Sequence, residues 1–470
     1  MKNEPASTAP VRLERDSMGE IAVPAEALYG AQTQRAVENF PISGLRFQRE
    51  FLRALGLIKA AAARANSDLG DLAPPDALAI EDAALRVANG DYDSQFVVDV
   101  FQTGSGTSTN MNANEVIAKL CELAGRKVHP NDHVNRNQSS NDVIPAAIHL
   151  SAAMLIHSRL LPALREFQEG LAAKAAQFHD VIKIGRTHLQ DAVPMRLGDE
   201  FSGYARQAEA SAARIEAALP GIYELPLGGT AIGTGLNAPP QFGRRVIEGL
   251  AARTGLPFRE AVNHFEAQAA KDAVGFLSGA LRSCAIALIK IANDIRWLGS
   301  GPRCGLGELR LPSLQPGSSI MPGKVNPVAA ESALMVCAQV IGHDAAIAWC
   351  CASGNFELNV MMPLIGYDLL DSVELLSAAS ENLLKRCIDG LEADPARAAW
   401  FAEQSLALVT ALVPRIGYDL AAAIAYEAYR SGRTIREVAA EKTDLAEETL
   451  RQLLDPRLQA GRSSPEPPRQ

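Results

Sequence analysis

Aromatic side chains are scarce in this chain of 470 residues, since Phe, Trp and Tyr make up only 5% of it. Alanine is abundant instead, so we expect helices that pack closely through small side chains. A basic excess is also lacking. The formal net charge of −9 at pH 7 argues against a nucleic-acid-binding protein, which would normally show a basic face. An anionic ligand would have to be attracted by a local patch.

Cysteine is present in an odd number, seven, and the residues are scattered without a C-x-x-C pair. This pattern favours a reducing compartment over a disulfide framework. The first sixteen residues lack the apolar segment of a secretory signal. No uncharged apolar run reaches the roughly 20 residues that span a bilayer. We therefore predict a cytoplasmic protein that does not interact with membranes.

Long segments with few helix breakers dominate the rest of the chain, and the length itself indicates two or three domains. Each of these segments exceeds the usual helix length of about 11–12 residues. Such helices need partners along their whole length, which predicts a mainly α-helical bundle and favours oligomerisation. A small hairpin or an extended arm is expected over Arg12–Pro24, and the glycine-rich Leu227–Pro240 is not a dinucleotide fingerprint. The long predicted helices are Val143–Phe178, Leu197–Leu219, Glu266–Leu298 and Val328–Cys351.

The most informative segment is Gly317–Pro327, which reads GSSIMPGKVNP. Two hydroxyls, a lysine and an asparagine share a glycine-containing loop that runs into a predicted helix. Asn326 is placed to cap this helix, and Pro327 suits its first position. A loop of this kind can hold a carboxylate beside a base at a helix N-terminus.

Two further polar clusters precede predicted helices, at Thr103–Asn110 and Ser139–Asp142. Their hydroxyls, glycines and free helix amides can bind an anion. Helix capping is the alternative for the first cluster. In the second, capping would use one or two of the four polar residues, so some are left for a ligand.

Gly185–Ala192 contains His188, which can transfer a proton near neutral pH. Arg186 and Thr187 beside it can bind an anion. Glu331 lies about one turn into the helix after the loop, where it would orient an imidazole from another segment. The alternative for Glu331 is an ordinary solvated carboxylate.

A histidine pair occurs in His129–His133, at the i, i+4 spacing that zinc sites use on helices. Pro130 and Asn131 predict a turn here, and the H-E-x-x-H pattern is absent. We therefore predict no metal site. Arg126 and Lys127 nearby favour attraction of an anion instead.

The segment Gly317–Asn326 matches the signature G-S-S-x-M-P-x-K-x-N, and by it the chain resembles the fumarase/aspartase superfamily. The resemblance extends from about Glu14 to Pro456, and the opening Arg15–Gly19 and Gly30–Arg35 look like class II fumarases. It implies a nearly all-α fold with three domains, which we place at 1–138, 139–393 and 394–470. It also implies a homotetramer in which each active site takes residues from three chains, with no metal or organic cofactor.

Within the superfamily, the residues point to fumarase more than to aspartase. Asn131–Asn135 and Thr107-Ser108 resemble aspartases. Ser105 and Ser140 resemble fumarases, since aspartases tend to have Ala and Thr there. Fumarase-like residues also include His188, Gly323, Gly301–Gly305 and Gly354–Leu358. Aspartate ammonia-lyase remains the alternative activity, and a non-catalytic structural protein like the lens relatives of this superfamily is the alternative class.

The resemblance implies reversible addition of water to fumarate to give L-malate, by general acid/base catalysis through an aci-carboxylate. Ser318 would act as the base and His188, oriented by Glu331, as the acid, although some accounts reverse the roles of Ser318 and His188. The implied substrate-binding residues are Ser105, Gly106, Thr107, Ser139, Ser140, Asn141, Thr187, Ser319, Lys324, Val325 and Asn326. A second dicarboxylate site would comprise His129, Pro130, Asn131 and Asp132.

Overall fold

The computed structural model describes residues 10–461 and opens on a β-hairpin. Its strands β1 (Val11–Asp16) and β2 (Gly19–Pro24) pair antiparallel, which confirms the predicted hairpin. The Arg12 guanidinium donates to four backbone carbonyls between Pro24 and Tyr29, so the end of the hairpin is fastened to the chain that follows it.

Helices account for most of the described residues. The first six are α1 (Ala31–Asn39), α2 (Arg49–Asp68), α3 (Pro74–Asn89), α4 (Thr107–Leu123), α5 (Ser140–Leu155) and α6 (Leu161–Gln177). A π-helical turn at Ile156–Leu160 joins α5 to α6 into one continuous helix, close to the predicted Val143–Phe178. After α6 come a second hairpin, β3 (Ile182–Thr187) with β4 (Gln190–Arg196), and α7 (Leu197–Ile222).

The central region continues with β5 (Glu224–Leu225), α8 (Phe242–Thr254), β6 (Arg259–Glu260), α9 (His264–Ala269), α10 (Asp272–Leu298), β7 (Leu309–Arg310), α11 (Val328–Cys351), β8 (Gly354–Asn355), β9 (Leu358–Asn359), α12 (Met362–Leu383) and β10 (Glu392–Ala393). The C-terminal helices are α13 (Pro395–Gln404), α14 (Val413–Ile416), α15 (Tyr418–Ser431), α16 (Ile435–Lys442), α17 (Glu447–Leu453) and α18 (Pro456–Gln459). The predicted bounds of α11 are confirmed.

One predicted helix, Glu266–Leu298, was wrong because the chain breaks between α9 and α10. The buried Lys271 ammonium donates to the carbonyls of Ala267, Gln268 and Ala270. These oxygens end α9, and a new helix starts at Asp272. The prediction that α7 ends at Leu219 was also wrong, since Pro220 lies inside the helix.

The chain divides into two compact units, each built from three segments. Unit 1 comprises the chain up to Pro162, Ala213–Ala285 and Ala338–Ser377. Unit 2 comprises Ala163–Ala212, Ile286–Cys337 and the chain from Ala378 onward. The three domain boundaries expected from the resemblance stay a prediction.

Close packing through small residues is visible in unit 1, where α2 packs against α3, α5 and α8. A Cβ atom on Gly56 would lie 2.6 Å from the backbone nitrogen of Ala88 and 2.7 Å from the carbonyl oxygen of Ala84. Only glycine allows α2 and α3 to approach this closely. In unit 2, an apolar core joins α15, α16 and α17 around Leu412, Ile424 and Val438.

Three helical segments are long and apolar enough to cross a membrane by length and composition alone: Ser140–Gln177, Asp272–Leu298 and Val328–Cys351. Within the protein, 83% of the most apolar window of the first segment is buried, against only 33% for the third. The low value shows that α11 has a large apolar surface left uncovered in one chain.

Candidate active site

Three hydroxyl groups form a hydrogen-bonded chain in unit 1. Ser105 Oγ lies 2.7 Å from Thr107 Oγ1, which lies 2.6 Å from Ser140 Oγ. Thr107 is the first residue of α4 and Ser140 the first of α5, so two helix N-termini meet at these hydrogen-bonded hydroxyls. Hydroxyls can reorient their protons, and helix N-termini favour negative charge. The cluster is therefore suited to hold a carboxylate.

Capping does not account for the Thr103–Asn110 cluster. No side chain caps α4 at its N-cap residue Gly106, and Gln102 Oε1 instead accepts the backbone N–H of Thr109 at 3.0 Å. Gly106 has φ +72°, and a Cβ atom there would lie 2.9 Å from the Ile144 side chain. Glycine is thus required for the close approach of the two helices at this point.

The four residues of the Ser139–Asp142 cluster make different kinds of hydrogen bond. Ser139 and Asp142 form a capping box, in which Ser139 Oγ accepts from Asn141 N–H and Asp142 Oδ1 accepts from Ser139 N–H. Ser140 belongs to the hydroxyl chain, and Asn141 Nδ2 donates to the carbonyl of Ala231 at 2.8 Å. Two of the four residues are therefore available beyond capping.

His188 sits at the tip of the β3–β4 hairpin in unit 2. His188 and Leu189 have φ of +57° and +59°, as a two-residue hairpin turn requires, and Thr187 pairs with Gln190. The side chain of His188 is exposed, and its imidazole has no hydrogen bond to any residue between 10 and 461. The imidazole of His188 is therefore accessible to a group outside this chain.

Arg186 is not the anion-binding group that the sequence suggested. Its guanidinium donates to both oxygens of Glu308, at 2.7 and 3.3 Å, and the Glu308 side chain is fully buried. A buried carboxylate needs a paired cation, so Arg186 is occupied by this ion pair. Its role is to fix the strand that leads to His188.

The Gly317–Pro327 loop is closed at its neck. Gly317 N–H donates to the Lys324 carbonyl at 2.8 Å, and Asn326 Nδ2 donates to the Gly317 carbonyl at 2.8 Å. Among the described residues Asn326 Oδ1 accepts no N–H group of α11, so the predicted capping of this helix by the Asn326 side chain was wrong. A Cβ atom on Gly317 would lie 2.6 Å from the Lys324 carbonyl oxygen, so glycine is needed here.

Ser318 occupies the start of this loop, and its Oγ accepts two backbone N–H groups. They belong to Ile320, at 3.2 Å, and Met321, at 3.0 Å. Two donors on one oxygen stabilise negative charge on it, in the way that amides stabilise an oxyanion. The loop thus places two N–H donors on Ser318 Oγ.

Other polar residues of the Gly317–Pro327 loop line a cavity of about 1090 Å³ in unit 2. It is lined by Lys324, Asn326 and Glu331, together with Arg296 and Trp297. Neither His188 nor Ser318 lines it, and Glu331 makes no hydrogen bond through its carboxylate within the described part of the chain. Within one chain, therefore, no hydrogen bond or ion pair joins Glu331 to His188.

The proposed second site is an exposed turn. His129 Nδ1 accepts from the N–H groups of Asn131, at 3.3 Å, and Asp132, at 3.1 Å, while His133 Nδ1 accepts from His129 N–H. Both imidazoles thus use one nitrogen to hold the turn. Over residues 10–461 no group of three His, Cys, Asp or Glu side chains is arranged to hold a metal ion.

Sequence reasoning did not assign a role to Asp142 or Lys59, two buried residues that form hydrogen bonds at and just before the start of α5. Lys59 Nζ is fully buried and donates to Asn135 Oδ1 and Gln138 Oε1, just before α5. The Ser-x-x-Asp spacing of the capping box was the signal that could have identified Asp142. No comparable signal marks Lys59.

Two family descriptions match the chain: "Lyase" over residues 19–342 and "Fumarase C C-terminus" over residues 408–458. "Fumarate hydratase class II" of Mycobacterium tuberculosis is 55% identical over 454 residues, covering 96% of each chain. The crystal structure of a class II fumarase from Schistosoma mansoni superposes with a TM-score of 0.93 at 40% identity, covering 96% of this chain and 99% of that one.

A structure of "fumarate lyase:delta crystallin" from Brucella melitensis, bound to cobalt, superposes with a TM-score of 0.92 at 46% identity, covering 96% of this chain and all of the other. These likenesses extend over nearly the whole length, and the two family matches run from β2 into α11 and over the C-terminal helices. The chain therefore belongs to the class II fumarases, the hydro-lyases of the fumarase/aspartase superfamily.

Proposed function

We propose that the chain catalyses the reversible anti addition of water to fumarate, which gives L-malate. The observation that carries this proposal is the state of Ser318, whose Oγ is held by two amides in a loop that also bears Lys324 and Asn326. The relatives at over 50% identity are named for the same reaction.

Removal of the C3 proton of malate is the difficult step, because a carbon acid beside a carboxylate is very weak. The aci-carboxylate that forms carries extra negative charge, which donors and cations must stabilise. Ser318 acts as the base in its alkoxide form, stabilised by the N–H groups of Ile320 and Met321. Lys324 adds positive charge to the same loop.

The two carboxylates of the substrate are held by hydroxyls, amides and Lys324. Thr107 and Ser140 lie at the N-termini of α4 and α5, where the helix dipoles favour an anion. The resemblance adds Ser105, Gly106, Ser139, Asn141, Thr187, Ser319, Val325 and Asn326. Of these, Ser139 and Asn141 already make hydrogen bonds within α5 and to Ala231.

His188 supplies the acid on the hydroxyl side, oriented by Glu331 of another chain. The exposed position of His188 at a hairpin tip, away from the Glu331 of its own chain, supports this division. The reverse assignment, with His188 as the base, is tested by the variants described in the Discussion.

A homotetramer with active sites shared by three chains completes the proposal. Met335 and Trp349 on α11 are 69% and 75% exposed, a large cost for apolar side chains in water. Packing α11 against other copies of the same helix would cover this surface. We attribute the apolar character of α11 to assembly and not to a membrane.

We further propose a cytoplasmic location and a reaction that needs no metal or organic cofactor. All seven cysteines lack a disulfide, as expected in a reducing compartment. General acid/base groups are sufficient for the hydration. The turn at His129, Pro130, Asn131 and Asp132 is retained as a second dicarboxylate site, in which His129 Nδ1 accepts two backbone N–H groups.

The test mixes the purified protein with L-malate and follows the ultraviolet absorbance of the fumarate double bond. A parallel sample contains L-aspartate, and a third contains malate with a chelator. A rise with malate alone, unaffected by the chelator, supports the proposal. A rise with aspartate would identify an ammonia-lyase, and no rise with either would favour a structural role.

A further inference from the structure

Asp142 is a fully buried carboxylate that directly follows Ser140 and Asn141 in the first turn of α5. Its Oδ1 accepts the N–H of Ser139 at 3.0 Å. Its Oδ2 accepts two further backbone N–H groups, from Gly228 at 3.1 Å and Thr230 at 3.0 Å. The second oxygen thus serves a remote segment and not the helix, which a capping residue has no need to do.

This remote segment, 228–231, has an unfavourable backbone conformation. Thr230 is β-branched and has φ +53°, a region that such residues rarely adopt. The fully buried Gln268 donates from Nε2 to the Thr230 carbonyl at 2.8 Å, and a Cβ atom on Gly229 would lie 2.2 Å from Gln268 Oε1. The segment keeps its shape because Asp142 and Gln268 hold it from two sides.

The same segment returns to the candidate site through Ala231. Its carbonyl accepts the side-chain amide of Asn141 at 2.8 Å. Asp142 is therefore hydrogen-bonded to Thr230, and the next residue, Ala231, is hydrogen-bonded to Asn141, which is the neighbour of Asp142 on α5. The amide of Asn141 and the hydroxyl of its neighbour Ser140 are oriented by a part of the chain that Asp142 fastens.

We propose that Asp142 is a positioning residue, which holds segment 228–231 so that Ser140 and Asn141 are oriented to bind a substrate carboxylate. This inference rests on the proposed function. It predicts that a change at Asp142 weakens dicarboxylate binding more than it slows the chemical step, because the residue does not touch the reacting atoms.

Protonation of Asp142 provides an independent readout. Burial raises the pKa of its carboxyl to about 6, although hydrogen bonds from Ser139, Thr230 and Gly228 and the charge of Lys59 oppose the rise. Lys59 of α2 is the charged group that faces it, and burial lowers the pKa of that ammonium to about 7. A protonated carboxyl cannot serve three N–H donors fully, so dicarboxylate binding should weaken as the pH falls through about 6.

The experiment compares the wild-type chain with Asp142→Asn, which keeps the shape but turns an N–H₂ group toward backbone donors. Calorimetry measures the affinity for succinate, an unreactive dicarboxylate, between pH 5 and pH 8, and turnover of L-malate is measured alongside. We expect Kd and KM to rise about 10–100-fold, kcat to change much less, and the loss of affinity below pH 6 to shrink to the part that protonation of succinate itself causes.

The matched control is Glu437→Gln, because Thr434 and Glu437 form the same kind of capping box at the start of α16. This box serves only its own helix, so the variant should leave KM and Kd unchanged. If Asp142→Asn behaves like this control, with only its thermal stability altered, the positioning role is overturned.

Thr230→Gly is a second variant that does not depend on tolerance of a change at Asp142. Glycine relieves the positive φ but keeps the N–H group that Asp142 Oδ2 accepts and the carbonyl that Gln268 binds, so its KM should rise less than that of Asp142→Asn. The wild-type titration needs no variant at all, and an affinity for succinate that does not weaken as the pH falls through about 6 overturns the inference. A wild-type chain that neither binds succinate nor converts malate would overturn the proposed function as well, whereas normal wild-type turnover with unchanged variants overturns the inference alone.

Discussion

The hydroxyl oxygens of Thr107 and Ser140 lie 2.6 Å apart, although 33 residues separate them in the sequence. One belongs to the first residue of α4 and the other to the first residue of α5. The contact joins two clusters that the sequence shows only as separate polar segments. It also defines which groups of unit 1 can act together on one carboxylate.

Ser140→Ala should interrupt this hydroxyl chain and remove one donor to the substrate. A hydrogen bond to a charged group contributes about 1.5–3 kcal/mol, so kcat/KM for malate should fall about 10–100-fold, mainly through KM. The matched control is Ser151→Ala on the same helix, because Ser151 Oγ donates only to the α5 carbonyls of Ala147 and Ile148. Equal kinetics for the two variants would remove Ser140 from substrate binding.

Ser318→Ala should abolish turnover, because no other group then carries the two amide donors of Ile320 and Met321. The loop neck does not involve the Ser318 side chain, so folding should be retained, as circular dichroism can verify. The control is Ser431→Ala, since the exposed Ser431 Oγ donates to the Glu427 carbonyl within its own helix α15. Near-normal activity of Ser318→Ala would exclude Ser318 as the base.

Much of the fold was predictable because the long helices show apolar residues at helical spacing and contain few helix-breaking residues. The bounds of α11 agree with the prediction at both ends, and the first hairpin agrees within one residue. The break at Lys271 was not predictable, because it depends on an ammonium group that collects three carbonyls in a buried position.

The sequence allowed the residues of the candidate site to be predicted, but not the long-range hydrogen bonds and backbone conformations that position them. The β3–β4 turn lacks the Asn-Gly or Asp-Gly signal of a two-residue hairpin, so the left-handed conformations of His188 and Leu189 are imposed by the paired strands on either side. Arg186 looked like an anion-binding group because its partner Glu308 is 122 residues away. Asp142 likewise contacts residues 86 and 88 positions away, which no local pattern reveals.

His188→Asn should lower kcat by about 10²–10⁴ if the imidazole transfers a proton, with little change in KM. Asparagine tolerates the left-handed backbone that this position requires, so the turn should survive. Gln190→Ala, on the other side of the same turn, is the control for disturbance of the hairpin. If only KM rises in His188→Asn, the residue binds substrate and does not transfer the proton.

Arg186→Met should leave the Glu308 carboxylate buried without its cation. Breaking a buried ion pair on one side costs about 3–5 kcal/mol, so the free energy of unfolding in urea should fall by that amount. The double variant Arg186→Met/Glu308→Leu should recover much of the loss, because no buried charge then remains. Arg451→Ala, which breaks an exposed pair with Glu448, should change stability little. Equal stability of Arg186→Met and the wild type would contradict the buried pair.

His149 should make the protein less stable in acid. Burial, and to a lesser extent the charge of Lys271, lower the pKa of its imidazole from 6.5 to about 4, and Nδ1 donates to the Glu224 carbonyl at 2.9 Å. Above pH 6.5 the imidazole is neutral in both the folded and the unfolded state, so it imposes no penalty. Between pH 6.5 and pH 4 only the unfolded state takes up the proton, so the free energy of unfolding should fall by about 3 kcal/mol on account of this residue.

The measurement is urea unfolding of the wild type and of His149→Asn at several pH values from 4 to 8. Asparagine can donate to the same carbonyl but does not titrate, so the variant should lose less stability on acidification, whatever its stability at pH 8. His179→Asn is the control, because His179 is exposed. If the free energies of unfolding of the wild type and of His149→Asn fall in parallel with pH, another group governs the acid sensitivity and the burial of His149 does not.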